Sequence, residues 1–173
     1  MGLVDELSVY LLSKENLKRD QSELDAVLEA ETFFLEYLLP DFCNRHSIRV
    51  VHAGIKQYLP DSMNHQLEKL CNQTKGYLKK RINLLLGYHP LDEINDACAR
   101  TSDEVCIEDL WVSSEVDLVI RTGGGSAMLS NFLPLQCGYA NFAIVEDFFN
   151  DFTEEQFVRV YNDALALGMK IGL

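Results

Sequence analysis

Between Asp117 and Phe152 the chain reads DLVIRTGGGSAMLSNFLPLQCGYANFAIVEDFFNDF, and its chemistry-bearing residues crowd together there. An apolar run at residues 118–120 leads into Arg121, Thr122 and the glycines Gly123, Gly124 and Gly125. Glycines at a strand end free the backbone for positive φ and let its N–H groups approach an anion closely. A cationic Arg121 at that mouth, the hydroxyls of Thr122, Ser126 and Ser130, and the side chain of Asn131 compose an oxyanion site suited to phosphate or diphosphate. The same residues also suit a glycine-rich strand-to-helix turn with a solvated arginine, and residue types alone leave both readings open.

A longer ordered series is more specific. Arg121-Thr122-Gly123-Gly124 is followed by Leu129-Ser130-Asn131-Phe132-Leu133, Gln136, Tyr139-Ala140, an apolar strand, and Asp151-Phe152 before an acidic helix start. This series resembles the C-terminal signature of the cis-prenyltransferases, the undecaprenyl diphosphate synthase family. The resemblance implies that Arg121, Thr122, Gly123, Gly124, Ser130 and Asn131 contact a substrate diphosphate, with Mg2+ required if the chain is active. Upstream, Ser13-Lys14-Glu15-Asn16-Leu17-Lys18-Arg19 resembles the family's Ser-x-Glu-Asn-Trp-x-Arg loop, with Leu17 where the aromatic usually stands. In relatives that loop closes over the substrates, which implies contacts from Ser13, Asn16 and Arg19. Read as residues alone, it is a polar strand-to-helix connection.

The pattern also departs from the family. No HxGN or DGNxR string occurs in the 173 residues, and Met1 falls close to the family's second strand. The loop that grips the allylic diphosphate and supplies the magnesium-handling aspartate is therefore expected to be missing, with the first strand and helix. The family's Arg-x-Ser reads Met128-Leu129-Ser130 here, with one extra residue after Arg121. Asn141 stands where relatives carry a metal-associated Glu, so no metal ligand is assigned. Gly87-Tyr88-His89-Pro90-Leu91 replaces an Asn-Tyr-Gly-Gly-Arg segment, and the tail reads GMKIGL instead of being rich in arginine.

The elements that must position these residues are legible from hydrophobic periodicity. Strands are expected at residues 7–12, 48–53, 82–86, 118–120 and 142–145, all nearly continuous apolar runs. Ser22 with Asp25 marks a helix start, with Leu24, Val27, Leu28, Phe34, Leu35 and Leu38 at helical spacing until Pro40 ends the helix. In the family the corresponding helix lines a hydrophobic tunnel, although such a stripe is most often plain core. Further helices are expected at 63–78, 92–100, in part at 107–112 and, as helix or loop, at 128–137. Thr153-Glu154-Glu155 starts a final helix running to about Leu167. His52 reads as a satisfied core or rim histidine. Apolar strands alternating with helices indicate an α/β fold: one parallel sheet of about five strands with helices on both faces, in a single domain over residues 1–173.

Composition sets outer bounds. The formal charge is −12, from 27 acidic and 15 basic residues, which argues against nucleic acid or an anionic membrane surface as the main partner without forbidding a local cationic pocket. The five cysteines lack a CxxC pair, and the four histidines lack ligand spacing to them, so reduced thiols in a cytoplasmic protein are expected rather than zinc. No signal peptide and no bilayer-spanning apolar run is visible. The lost charges imply a catalytically silent homologue that binds an isoprenoid diphosphate or serves as a partner subunit, in a homodimer or in a heterodimer with a cis-prenyltransferase-like chain, peripheral membrane contact being left open. Two other readings stand beside it: an active prenyltransferase whose missing loop is supplied in trans, and an acidic interaction scaffold.

Overall fold

The computed structural model describes residues 4–125 and 127–168. The expectations placed on Met1, on the Ser126 hydroxyl and on most of the GMKIGL tail lie outside these residues. The chain divides into two compact units, Met1–Ser102 and Asp103–Leu173.

The first unit is built on three parallel strands, β1 (Glu6–Ser13), β2 (Ile48–Ala53) and β3 (Lys80–Tyr88), in the order β1-β3-β2. The central strand β3 is buried without interruption from Ile82 to Tyr88. An Ile-Asn-Leu-Leu-Leu-Gly-Tyr run is what a parallel strand covered on both faces requires. Within it the buried Asn83 donates to Glu6 Oε1 at 2.6 Å and Ser8 Oγ at 3.0 Å on β1. Helices α1 (Gln21–Phe33), α2 (Leu39–His46) and α3 (Asp61–Thr74) belong to this unit, as does α4 (Pro90–Arg100). Leu35, Leu39 and Cys43, with Met63, Leu67 and Leu70, recur at intervals of three or four and pack against Val50, Ile82, Leu84 and Leu86. Gly54 ends β2 at φ 148°, and a Cβ there would lie 2.0 Å from the Leu86 carbonyl oxygen, so only glycine permits this approach. Next to it, His52 is half-buried with Nε2 2.9 Å from the same carbonyl, and burial holds its pKa below the usual value.

The second unit pairs β4 (Leu118–Arg121) with β5 (Asn141–Ile144), again in parallel, and adds α5 (Glu154–Ala166). Thr153 caps α5: its hydroxyl accepts from the Gln156 N–H at 3.3 Å, while Gln156 Oε1 accepts from the Thr153 N–H at 2.8 Å. All five expected strands are present and parallel, paired as a group of three and a group of two.

Several boundaries differ from expectation for identifiable reasons. Pro40 does not end the first helix. Residues Phe34–Leu38 widen into a π-helical turn, which places Pro40 in the first turn of α2, where an amide is dispensable. Ser22 is not the cap; α1 starts at Gln21, whose side chain donates to Asp25 at 2.6 Å across the first turn. Helix α3 stops at Thr74 because that hydroxyl donates to the Leu70 carbonyl at 2.9 Å and accepts from the Val50 N–H at 3.0 Å, tying the last turn to β2. Residues 107–112 reduce to the short 3-10 turn Ile107–Asp109, and 128–137 form turns rather than a helix.

Glu31 on α1 has a carboxylate oxygen shielded from water that finds no hydrogen-bond partner among the described residues. Burial pushes its pKa up to about 7 from 4.5, partly opposed by Arg19. A raised carboxyl pKa favours folding in the protonated form, so this contribution is intact below about pH 4.5 and is lost as pH rises through about 7. Glu31→Gln is expected to gain stability relative to the parent progressively across that window. Urea midpoints of both proteins at acidic, neutral and mildly alkaline pH check this; a pH-independent offset would exclude it.

Candidate functional site

Arg121 is the last residue of β4, at the carboxyl end of a parallel pair, the edge where ligands of open α/β sheets bind. Its guanidinium Nη1 donates to the Met128 carbonyl at 2.7 Å and to Ser130 Oγ at 3.1 Å. Its Nε is buried and finds no partner among the described residues. The fold therefore brings Arg121 and Ser130 into direct contact, nine residues apart in sequence. The chain between them and Gln136 is strained: Ser130, Asn131 and Leu133 take φ values of 50°, 64° and 41°. Left-handed backbone costs a non-glycine residue roughly 1–2 kcal/mol, so the surroundings must hold it. They do so by burying Leu133 completely and anchoring Gln136, whose Nε2 donates to the Val112 carbonyl at 3.0 Å.

The glycines act differently from an open amide cradle. The Gly123 N–H donates to the Asp147 carbonyl at 2.6 Å and the Gly124 N–H to the Val145 carbonyl at 3.0 Å. Both are thus spent on the chain that leaves β5, so the polar groups left at this mouth are the side chains of Arg121, Ser130, Thr122 and Asn131. Glu146 also reaches the loop. A Cβ placed on Gly124, which has φ 62°, would stand 2.6 Å from Glu146 Oε2. That carboxylate gives the loop a negative side which sequence reading did not identify.

Ser13, Asn16 and Arg19 belong to the first unit. Ser13 and Asn16 cap each other: the Ser13 N–H donates to Asn16 Oδ1 at 2.9 Å, and the Asn16 N–H to Ser13 Oγ at 3.1 Å. Arg19 pairs instead with Glu23 at 2.9 Å on exposed α1. An ion pair and a histidine–carboxylate contact hold this loop over the α4 start. Lys14 Nζ donates to both Asp92 oxygens, at 2.8 and 3.1 Å, and lies 4.9 Å from the centre of the Tyr58 ring. The Asp92 hydrogen bond, then Tyr58, raises the Lys14 pKa. His89 Nε2 lies 3.2 Å from Glu15 Oε1. Sequence reading missed Lys14, Asp92 and Tyr58, because no spacing rule links residues 78 positions apart. The acidic first turn of α4 was the one available signal.

A protein-held magnesium ion fits this chain poorly. Asn141 offers a neutral amide in place of a carboxylate. Asp117, whose carbonyl accepts the Asn141 N–H at 2.9 Å, has its pKa raised by burial and then by Glu115. Among the described residues no group of three or more His, Cys, Asp or Glu could hold a metal ion.

Gly124→Ala is expected to cost more than about 1 kcal/mol through the positive φ and the Glu146 clash, lowering Tm by roughly 2–4 °C per kcal/mol in a chain of this size. Adding Glu146→Ala should recover part of that loss. Thermal unfolding of the three variants and the parent tests the coupling; additive effects would remove Glu146 from the loop.

The likeness to known proteins matches this geometry. The prenyltransferase family model describing undecaprenyl diphosphate synthase matches residues 2–164. The tritrans,polycis-undecaprenyl-diphosphate synthase (geranylgeranyl-diphosphate specific) of Thermococcus kodakarensis is 30% identical over 91% of this chain and 66% of its own length. An isoprenyl transferase of Bacillus cereus is 30% identical over 98% of this chain and 71% of its own. The chain thus spans about two thirds of these relatives' length. Among solved structures, a probable undecaprenyl diphosphate synthase from Campylobacter jejuni superposes with TM-score 0.86 at 28% identity, covering 96% of this chain and 82% of that one. Lavandulyl diphosphate synthase from Lavandula x intermedia, in complex with dimethylallyl diphosphate, shares the fold with TM-score 0.83 at 20% identity over 92% of this chain and 75% of its own. With the parallel strands, the Arg121–Ser130 mouth and a family match across both units, the chain belongs to the undecaprenyl diphosphate synthase family of cis-prenyltransferases.

Proposed function

We propose that this chain binds an isoprenoid diphosphate at the Arg121 mouth, transfers prenyl groups weakly or not at all by itself, and works with a second cis-prenyltransferase-like chain, either a copy of itself or a diverged partner. The observation that carries the binding is the placement of Arg121 at the β4 end with its guanidinium directed onto Ser130 by the strained turn. Thr122 and Asn131 complete the contact set, with Gly123 and Gly124 shaping the loop through their bonds to Asp147 and Val145, and Ser13, Asn16 and Arg19 form a second set in the first unit. Since the family match runs from residue 2 to 164, both units are read as one prenyltransferase-like domain. A cytoplasmic location, at the edge of a membrane, suits a ligand with a charged head and a long apolar chain.

The weak transfer follows from charge. Breaking the allylic C–O bond leaves a diphosphate carrying about three negative charges, which preorganised cations must stabilise as it departs. Here Met128 stands where relatives carry an arginine, Asn141 where they carry a carboxylate, and Glu146 brings a negative charge to the glycine loop. Losing one preorganised charge partner commonly costs about two to three orders of magnitude in rate, or roughly 3–4 kcal/mol. The retained Arg121–Ser130 pair favours one further reading, in which transfer returns when a second chain supplies an aspartate-bearing phosphate loop.

Purified chain incubated with labelled isopentenyl diphosphate, farnesyl diphosphate and magnesium is expected to yield little polyprenyl product, while calorimetry detects diphosphate binding that Arg121→Ala weakens at least about tenfold. Robust product that vanishes in Arg121→Ala would overturn the weak-transfer reading. Neither binding nor product would leave an acidic scaffold, and the function would then lie with its protein partner.

A further inference from the structure

We propose that the edge of the first unit's sheet where its strands begin is a docking surface for an anionic lipid bilayer. In a chain with 27 acidic and 15 basic residues, the segment KGYLKKR at 75–81 places Lys75, Lys79, Lys80 and Arg81 within seven positions without an acid. This segment joins α3 to β3, and the parallel register sets Arg49 on β2 directly beside Arg81. Arg49, Lys79, Lys80 and Arg81 together line a hollow of about 290 Å³ at this edge. Asp5 and Glu6 share the hollow, and Glu6 is already engaged by Arg81 at 3.6 Å and by the Asn83 amide at 2.6 Å. Arg49, Lys75 and Lys79 form no ion pair among the described residues.

The tip of the segment is apolar. Leu78 is 87% exposed, the most exposed large hydrophobic residue among the described residues of the first unit. It is held outward because Tyr77 is pinned behind it, its hydroxyl donating to Asn44 Oδ1 at 3.2 Å at the end of α2. Favourable charge at a helix C-terminus accounts for Lys75 but not for cations on two neighbouring strands. A leucine projecting from a ring of lysines is rewarded at a bilayer, where the apolar tip enters the headgroup boundary and the cations meet anionic lipid. Nucleic acid would use the cations and leave the leucine in water. The chain as a whole carries a formal charge of −12, so a local cluster of cations is what an anionic membrane would select. Docking there leaves the opposite edge of the same sheet, with Ser13 and Tyr88 at its strand ends, directed away from the lipid.

The full chain is expected to co-sediment with vesicles of mixed phosphatidylglycerol and phosphatidylcholine but not with phosphatidylcholine alone, and to be released by high salt. Lys75→Gln with Lys79→Gln should weaken partitioning at least about tenfold, since each cation near an anionic surface contributes roughly a factor of five. Leu78→Ser, at a site too exposed to affect folding, should weaken it several-fold while preserving the salt dependence. Lys69→Gln with Arg159→Gln, which removes equal charge elsewhere, should leave it unchanged. The proposal is overturned by no sedimentation with anionic vesicles, by equal sedimentation with neutral ones, or by indifference to Leu78→Ser. Displacement by millimolar inorganic phosphate would instead indicate a free-anion site, and equal retention on duplex DNA a nucleic-acid surface. The isoprenoid binding proposed for Arg121 stands or falls separately.

Discussion

Burial of β3 on both faces is the constraint on which the first unit depends. From Ile82 to Tyr88 no side chain reaches water, so each polar group there must find its partner inside the protein. The flanking strands pair with its backbone, and Glu6 with Ser8 on β1 accepts from the Asn83 amide nitrogen, while Asn83 Oδ1 finds no partner among the described residues. At the other end of the strand, the Tyr88 hydroxyl donates to Glu93 at 2.6 Å, holding a wholly buried carboxylate in the first turn of α4. That turn also presents Asp92, whose ion pair with Lys14 positions the loop bearing Ser13 and Asn16. Polar contacts from Tyr88 through the first turn of α4 thus link the end of the buried strand to the loop that resembles the family's substrate-closing segment.

The second unit solves its positioning problem with strain. A four-residue strand delivers Arg121 to its end, but a long cation there would sample many rotamers unless something fixed it. The left-handed turn at Ser130, Asn131 and Leu133 brings a carbonyl and a hydroxyl to the guanidinium, and the burial of Leu133 compensates for the conformational cost. Glycine serves a different purpose from the one its abundance suggests. Gly123 and Gly124 let the loop fold back onto the carbonyls of Asp147 and Val145, so their amides close the loop rather than hold an anion.

Strands were the most legible feature of the sequence, because continuous apolar runs such as Ile82 to Leu86 have little alternative to a doubly covered parallel strand. The α5 start was legible too, since the cap pair Thr153 and Gln156 is local chemistry. The first helix was not. Pro40 is a strong local terminator, yet a π-turn moved it to a tolerated position, and nothing local encodes such a turn. The site divided in the same way. Arg121 and Ser130 could be named from an ordered motif, but their contact depends on three left-handed residues that are not glycine. The pairing of Lys14 with Asp92 depends on the tertiary approach of two loops and had no sequence signature.

Binding and catalysis draw on the charges of this site differently, which is why they can separate in one chain. Groups that meet a diphosphate with similar strength before and during bond cleavage, the role proposed for Arg121 and Ser130, raise affinity without raising rate. Acceleration requires groups whose interaction grows as the leaving diphosphate gains charge, chiefly a metal ion and the carboxylates that hold it. Asn141 cannot take that role, because a neutral amide neither neutralises a divalent cation nor responds to developing charge. A site that keeps the first kind of group and lacks the second is the physical basis of the proposal that binding and transfer are separated in this chain.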